Sequence, residues 1–138
     1  MENNNWNKMK DLAPIVLRWG MALVFLWFGA QQILNAGAWT GLMPAWIVSA
    51  SGLKATTLVH LNGSFEVVFG LSLLLGYFTR LTAFLLAFHM LDIVLTVGYS
   101  PIGVRDFGLL IGTLVICLHG MDAWSLDYLL GKKAENVI

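Results

Sequence analysis

Long apolar runs separated by short polar or glycine-containing turns fill most of the chain, and they predict four membrane-crossing helices at roughly 14–36, 58–78, 81–99 and 105–121. At 1.5 Å rise per residue, each run crosses or nearly crosses a hydrocarbon layer of about 30 Å. Polar residues interrupt every run. Arg18 lies one turn into the first, where its side chain can snorkel to the headgroups, and Gln31, Gln32 and Asn35 crowd its far end. The second carries His60, Asn62 and Glu66, the third His89 and Asp92, and the fourth opens on Arg105 and Asp106. Pro14 suits a first helical position, because its missing N–H would be unpaired there anyway. The short turn at Thr79 and Arg80 makes spans two and three antiparallel neighbours, and Ser100, Pro101 and Gly103 read as the next turn. The longest connection, 37–57, holds Trp39 and Trp46 and reads as a helix lying on the membrane rather than a re-entrant lid, since tryptophans prefer headgroup depth. Beyond Gly120, Trp124, Tyr128, Leu129 and Leu130 form a short amphipathic tail. The fold class is all-α: one domain over 1–138, an integral membrane four-helix bundle with antiparallel neighbours.

Composition agrees, with 58% hydrophobic and 12% charged residues and a mean hydropathy of +0.75, too apolar for the surface of a soluble domain this size. Zero net charge suggests no nucleic-acid partner. The polar opening MENNNWNKMKD lacks the order of a cleaved signal peptide, so the first span is expected to stay. One cysteine, Cys117, excludes an intrachain disulfide and paired-cysteine redox chemistry, and reads as an apolar filler. Four spans place both termini on one side with the turn between spans two and three. That side collects Lys8, Lys10, Arg80, Lys132 and Lys133 against Lys54 and Arg105 opposite, so the positive-inside rule puts both termini in the cytoplasm.

The ionisable residues within the spans pose the functional question. Counting from the span ends places Glu66 roughly 12 Å from the outer face and Asp92 roughly 16 Å from the inner face, both near mid-bilayer. A carboxylate there costs about 2.5–3.5 kcal/mol on insertion scales, so both are expected to face the bundle and to pair, bind or be protonated. The bland alternative is hydrogen-bonded helix glue. Arg105 is the natural charge partner if it reaches inward, and otherwise forms a solvated pair with Asp106. His60, His89 and His119 fall at three depths, which argues against a shared haem or zinc, so no metal is expected. His89, three residues before Asp92 on one helix face, is a packing residue or a proton relay with it. Gly63, Gly70 and Ser72 let a neighbouring helix approach, and Gly108 and Gly112 share the four-residue spacing of close packing.

Three segments resemble the DoxX family of small four-span membrane proteins: LRWGMALVFLWFG with Arg18 and Gly29, FEVVFGLSLLLGYFTR with Glu66, and RDFGLLIGTLVICLHGMDAWSLDYLL with Asp106 and a terminal SLD. Together they cover nearly the whole chain. The resemblance implies a four-helix bundle in the bacterial cytoplasmic (inner) membrane, with Arg18, Glu66, Asp106 and Asp127 at recurrent polar positions. It also implies kinship with membrane subunits of sulfur- or quinone-linked oxidoreductases or of oxidative-stress assemblies. One departure is Gln32, where the family usually places a lysine that could partner Glu66.

The leading expectation is a membrane subunit that anchors or assists a soluble or membrane redox partner, an accessory component rather than a stand-alone enzyme. It has no intrinsic cofactor and holds a quinone between the span-one amides, Glu66 and Asp92. The candidate binding and proton-site residues are Glu66, Asp92, Gln31, Gln32, Arg105, Asp106, His89 and Arg18. A second expectation, from another class, is a small proton- or ion-coupled transporter acting as a homo-oligomer. The third is a structural scaffold in which these residues only set helix register.

Overall fold

A computed structural model describes the backbone of residues 3–135 and the side chains of residues 9–131. The side chains of Lys8, Lys132 and Lys133 lie outside the described residues. Helix α1 (Asn3–Leu34) is followed by a 3-10 helix (Ala36–Leu42) and a short α2 (Ala45–Ser51). Then come α3 (Ala55–Leu75), α4 (Thr79–Val97), α5 (Pro101–His119) and the terminal α6 (Leu126–Glu135). Four segments are long and apolar enough to cross a membrane: Met9–Leu34 of α1, and α3, α4 and α5. They form a ring in which α1 packs on α3, α3 on α4, α4 on α5 and α5 on α1. The described starts of α1 and α4 and the ends of α3 and α5 lie together at one end, the terminal side; the 3-10 helix and α2 cover the other, the cap side.

The inward face of α1 is a 3–4 repeat: Ile15, Arg18, Ala22, Phe25, Gly29 and Gln32 are all buried. In α3, Val59, Gly63, Glu66, Gly70 and Leu73 repeat the pattern. A 3.5-residue period keeps one seam facing its neighbour along the whole contact, as in a coiled coil. The seam is closest at two glycines: a Cβ on Gly29 would sit 2.7 Å from the Gly63 carbonyl oxygen, and one on Gly63 would sit 2.8 Å from that of Gly29. Small residues let these backbones touch, which is the main source of packing where lipid is as apolar as leucine. Spans two and three are neighbours, as their short turn requires, yet the most extensive packing joins α1 to α3 and α4 to α5. Gly108 faces open space, whereas Gly112 meets the Met21 sulfur, so only one of that spaced pair is a packing site.

Several boundaries differ from expectation. Pro14 lies inside α1, not at its start. Its ring cannot donate to the Lys10 carbonyl, but Lys10 is exposed, where water or headgroups satisfy that oxygen, so the helix continues. Helix α5 begins at Pro101, with Ser100 as N-cap: its Oγ accepts from the Gly103 N–H at 3.0 Å. Residues 100–103 are thus cap and first turn, and Arg105 and Asp106 sit a full turn inside the helix.

Arg18 does not snorkel. It is fully buried, and its Nε and Nη2 donate to Asp122 at 2.6 and 3.0 Å while Nη1 donates to the carbonyls of Leu73 and Leu74. Burial would raise the Asp122 pKa, but the hydrogen bonds from Arg18 and the Trp124 N–H, with the charges of Arg18 and His119, outweigh it and hold the carboxyl below its usual range. Five residues on, Asp127 caps α4, accepting from the Phe78 and Thr79 N–H groups at 2.8 and 2.7 Å and from the Thr79 hydroxyl at 2.8 Å. The segment after α5 thus fastens three helices at the terminal side.

Candidate functional site

The polar residues at core positions of α1 and α3 meet because the glycine contact holds these helices close. Gln32, one turn beyond Gly29, donates from Nε2 to Glu66 Oε2 at 2.9 Å. Asn62, one turn before Glu66, donates to Gln32 Oε1 at 2.6 Å and to Glu66 Oε1 at 3.1 Å. From α4, His89 Nε2 lies 3.2 Å from Glu66 Oε1, a donor when that nitrogen carries hydrogen, and its ring packs on Phe65 at 4.9 Å. Glu66, 3% exposed, is therefore ringed by three N–H donors from three helices. The Gln32 amide bonds the carboxylate without bringing a charge.

Facing this cluster, Asp106 of α5 is buried and accepts from Arg105 Nε at 2.7 Å. The guanidinium also lies 4.8 Å from the Phe28 ring centroid, a cation–π contact, and Phe28 meets Trp39 edge-on at 5.7 Å. Arg105 thus pairs with its neighbour and an aromatic ring, not with Glu66.

Between these groups lies a cavity of about 250 Å³. Phe25, Phe28, Met90 and Leu109 wall it, while Trp39, Met43, Pro44 and Ile47 of the connection roof it. The 3-10 helix of the connection packs on α1 and α3, while α2 has no buried residue and its Trp46 is strongly exposed, as suits a segment lying at the interface. Glu66, Gln32, Asn62, Asp106, Arg105 and Asp92 supply the polar lining.

The expected residues divide accordingly. Glu66, Gln32, Asp106, Arg105 and His89 converge on or beside the cavity. Asp92 reaches its edge but is exposed, five residues from the end of α4, and does not face the bundle as expected. His89 bonds Glu66 on α3 rather than Asp92 on its own helix. Gln31 accepts from Asn35 on an exposed edge. Arg18 belongs to the terminal side. His60 and His119 are exposed on different helices, and no group of three His, Cys, Asp or Glu residues among those described could hold a metal. Sequence reasoning missed Asp122, although a buried arginine in span one required a carboxylate somewhere at its level, and it did not foresee that Asn62 bridges Gln32 and Glu66.

The sequence model of DoxX matches residues 13–98, more than half of the chain and all of α3 and α4. The chain belongs to the DoxX family. No curated protein and no solved structure matches it. The matched region of this DoxX protein contains Arg18, Gln32, Glu66 and His89, whereas Asp106 and Asp122 lie beyond it.

Proposed function

We propose that the cap-side cavity binds the head ring of a quinone-class molecule, and that this DoxX protein is a membrane subunit of a redox assembly in the bacterial cytoplasmic membrane. The observation that carries this reading is an apolar, aromatic-walled cavity within the spans whose polar groups converge on one carboxylate. A quinone carbonyl only accepts hydrogen bonds, and Arg105, which spends Nε on Asp106, has further N–H donors to offer. A quinol hydroxyl donates, and Glu66 is the acceptor for it, with His89 able to exchange a proton at the same oxygen. Electrons come from a partner protein. The positive-inside rule, applied to Lys10 and Arg80 with Lys8, Lys132 and Lys133, supports a cytoplasmic terminal side, with the cavity then near the opposite face. Transport through a single bundle has less support, because Arg18, Asp122 and the end of α3 fill its terminal end.

The test is native mass spectrometry of protein extracted in its own lipids, then of delipidated protein titrated with a short-chain quinone. Wild type should carry a quinone-mass adduct. Glu66→Gln and Arg105→Gln should each weaken it about tenfold, the worth of one charge-assisted hydrogen bond at about 1.5 kcal/mol. Equal retention by all three proteins would remove the cavity from this role.

A further inference from the structure

A second opening, independent of the cap-side cavity, lies at the terminal side between α1 and α5. It is a crevice of about 300 Å³ lined by Lys10, Pro14 and Leu17 of α1 and by Val115, Ile116 and His119 of α5. It exists because α1 and α5 pack far less extensively than α1 and α3. Its floor is apolar. Its rim is not: Lys10 and His119 are both exposed, and His119 sits in the last turn of α5, where the helix dipole favours a donor or cation. The Arg80 guanidinium lies against Gly120, which also lines the crevice.

Among the described residues, Asp122 and Asp127 are already engaged. Asp122 lines the crevice, but its oxygens accept from Arg18 Nε, Arg18 Nη2 and the Trp124 N–H. Asp127 is bonded to the start of α4. Asp11 follows Lys10 and so points about 100° around the helix from it. What is left for a ligand is the ammonium of Lys10, an N–H of His119 and the nearby charge of Arg80. The Trp19–Trp124 edge contact at 5.7 Å stands at the same end, in the position tryptophans take at headgroup level.

An apolar slot open to the bilayer and rimmed by donors at headgroup depth matches one molecule in its surroundings. We propose that the α1–α5 crevice is a binding site for an anionic phospholipid of the surrounding bilayer. One acyl chain lies along Leu17, Val115 and Ile116, and the phosphate is held between Lys10 and His119. Basic pockets between transmembrane helices at one membrane face select anionic headgroups in this way. The site does not depend on the quinone reading.

The test uses the full-length protein, delipidated in detergent and titrated with phosphatidylglycerol, with phosphatidylcholine of the same acyl chains, and with inorganic phosphate alone, read by native mass spectrometry. Wild type should retain one phosphatidylglycerol under activation that strips phosphatidylcholine. Lys10→Gln should weaken it about fivefold, the worth of one basic residue near a membrane surface. His119→Gln should also weaken it, and Val115→Trp, which fills the slot from an exposed position, should abolish retention. Lys54→Gln, on the cap side, should change nothing. Thermal midpoints of the variants show whether each has folded; Lys10 and Val115 are both exposed, so both should. Equal retention of the two lipids would overturn the proposal. So would loss in Lys54→Gln as large as in Lys10→Gln, or phosphate alone displacing the lipid, which would make this a free-anion site.

Discussion

Removing the Asp122 carboxylate tests whether the terminal-side network holds the bundle together. Arg18 is 0% exposed and Asp122 5%, and the guanidinium makes four hydrogen bonds, two of them to Asp122. In Asp122→Ala the guanidinium keeps only the carbonyls of Leu73 and Leu74, and a buried charge is left without its counter-ion. Breaking a buried pair in this way costs about 3–5 kcal/mol, a large part of the stability of a small domain. Deleting both charges should behave differently. Arg18→Met with Asp122→Leu removes the stranded ion, and the Leu73 carbonyl keeps its bond from the Gly76 N–H, so the double variant should return to within about 2 kcal/mol of wild type. The assay is reversible unfolding in mixed micelles of dodecyl maltoside and dodecyl sulfate, followed by tryptophan fluorescence. A single variant within about 1 kcal/mol of wild type, or a double variant no better than the single, would refute the reasoning. The sign of the pH dependence follows from the lowered Asp122 pKa. The carboxylate's contribution is complete above the unfolded value of about 3.9 and is lost as pH falls through the lower folded value. Wild type should therefore lose stability as pH drops below about 4, and Asp122→Asn should lack that part of the loss.

Three further outcomes follow from other parts of the molecule. Gly29→Ala forces a methyl to 2.7 Å from the Gly63 carbonyl and should cost about 1–3 kcal/mol, while Gly108→Ala, with nothing within 4 Å, should be neutral in the same unfolding assay. Asp127→Ala removes the acceptor for two N–H groups at the start of α4 and should cost about 1 kcal/mol, with faster amide exchange at Phe78 and Thr79. Gln32→Lys places a cation against Glu66 in place of a neutral amide. It also removes the acceptor of the Asn62 N–H, so Asn62→Ala should cost less in this background than in wild type, in the same unfolding assay.

The spans were legible because lipid demands long apolar runs, and all four lie within a few residues of their expected positions. Helix rotation was less so. Leu71, Phe84 and Phe88 face lipid and are as apolar as the buried Leu73 and Leu86, so hydrophobicity alone cannot tell core from bilayer. Polar residues carried that information: Arg18, Gln32, Glu66 and Asp106 all mark the inward seam. Their partners were harder to find. Gln32 bonds Glu66 and Asn62 because two glycines bring α1 and α3 into backbone contact, a pairing that turn length did not favour. Asp92 was expected to face the bundle but is exposed at the cavity's edge, because the apolar residues around it left the rotation of α4 open. The part of the connection that roofs the cavity was not singled out because tryptophans suit headgroups and aromatic packing equally well.

Arg18 and Asp122 are 104 residues apart. The arginine leaves the ribosome with the first span, but the carboxylate that neutralises it emerges only after the last. Throughout membrane insertion the nascent chain therefore holds an unmatched cation at the edge of the bilayer, and the final segment closes the account. A product truncated before residue 122 would keep Arg18 without the carboxylate that neutralises it.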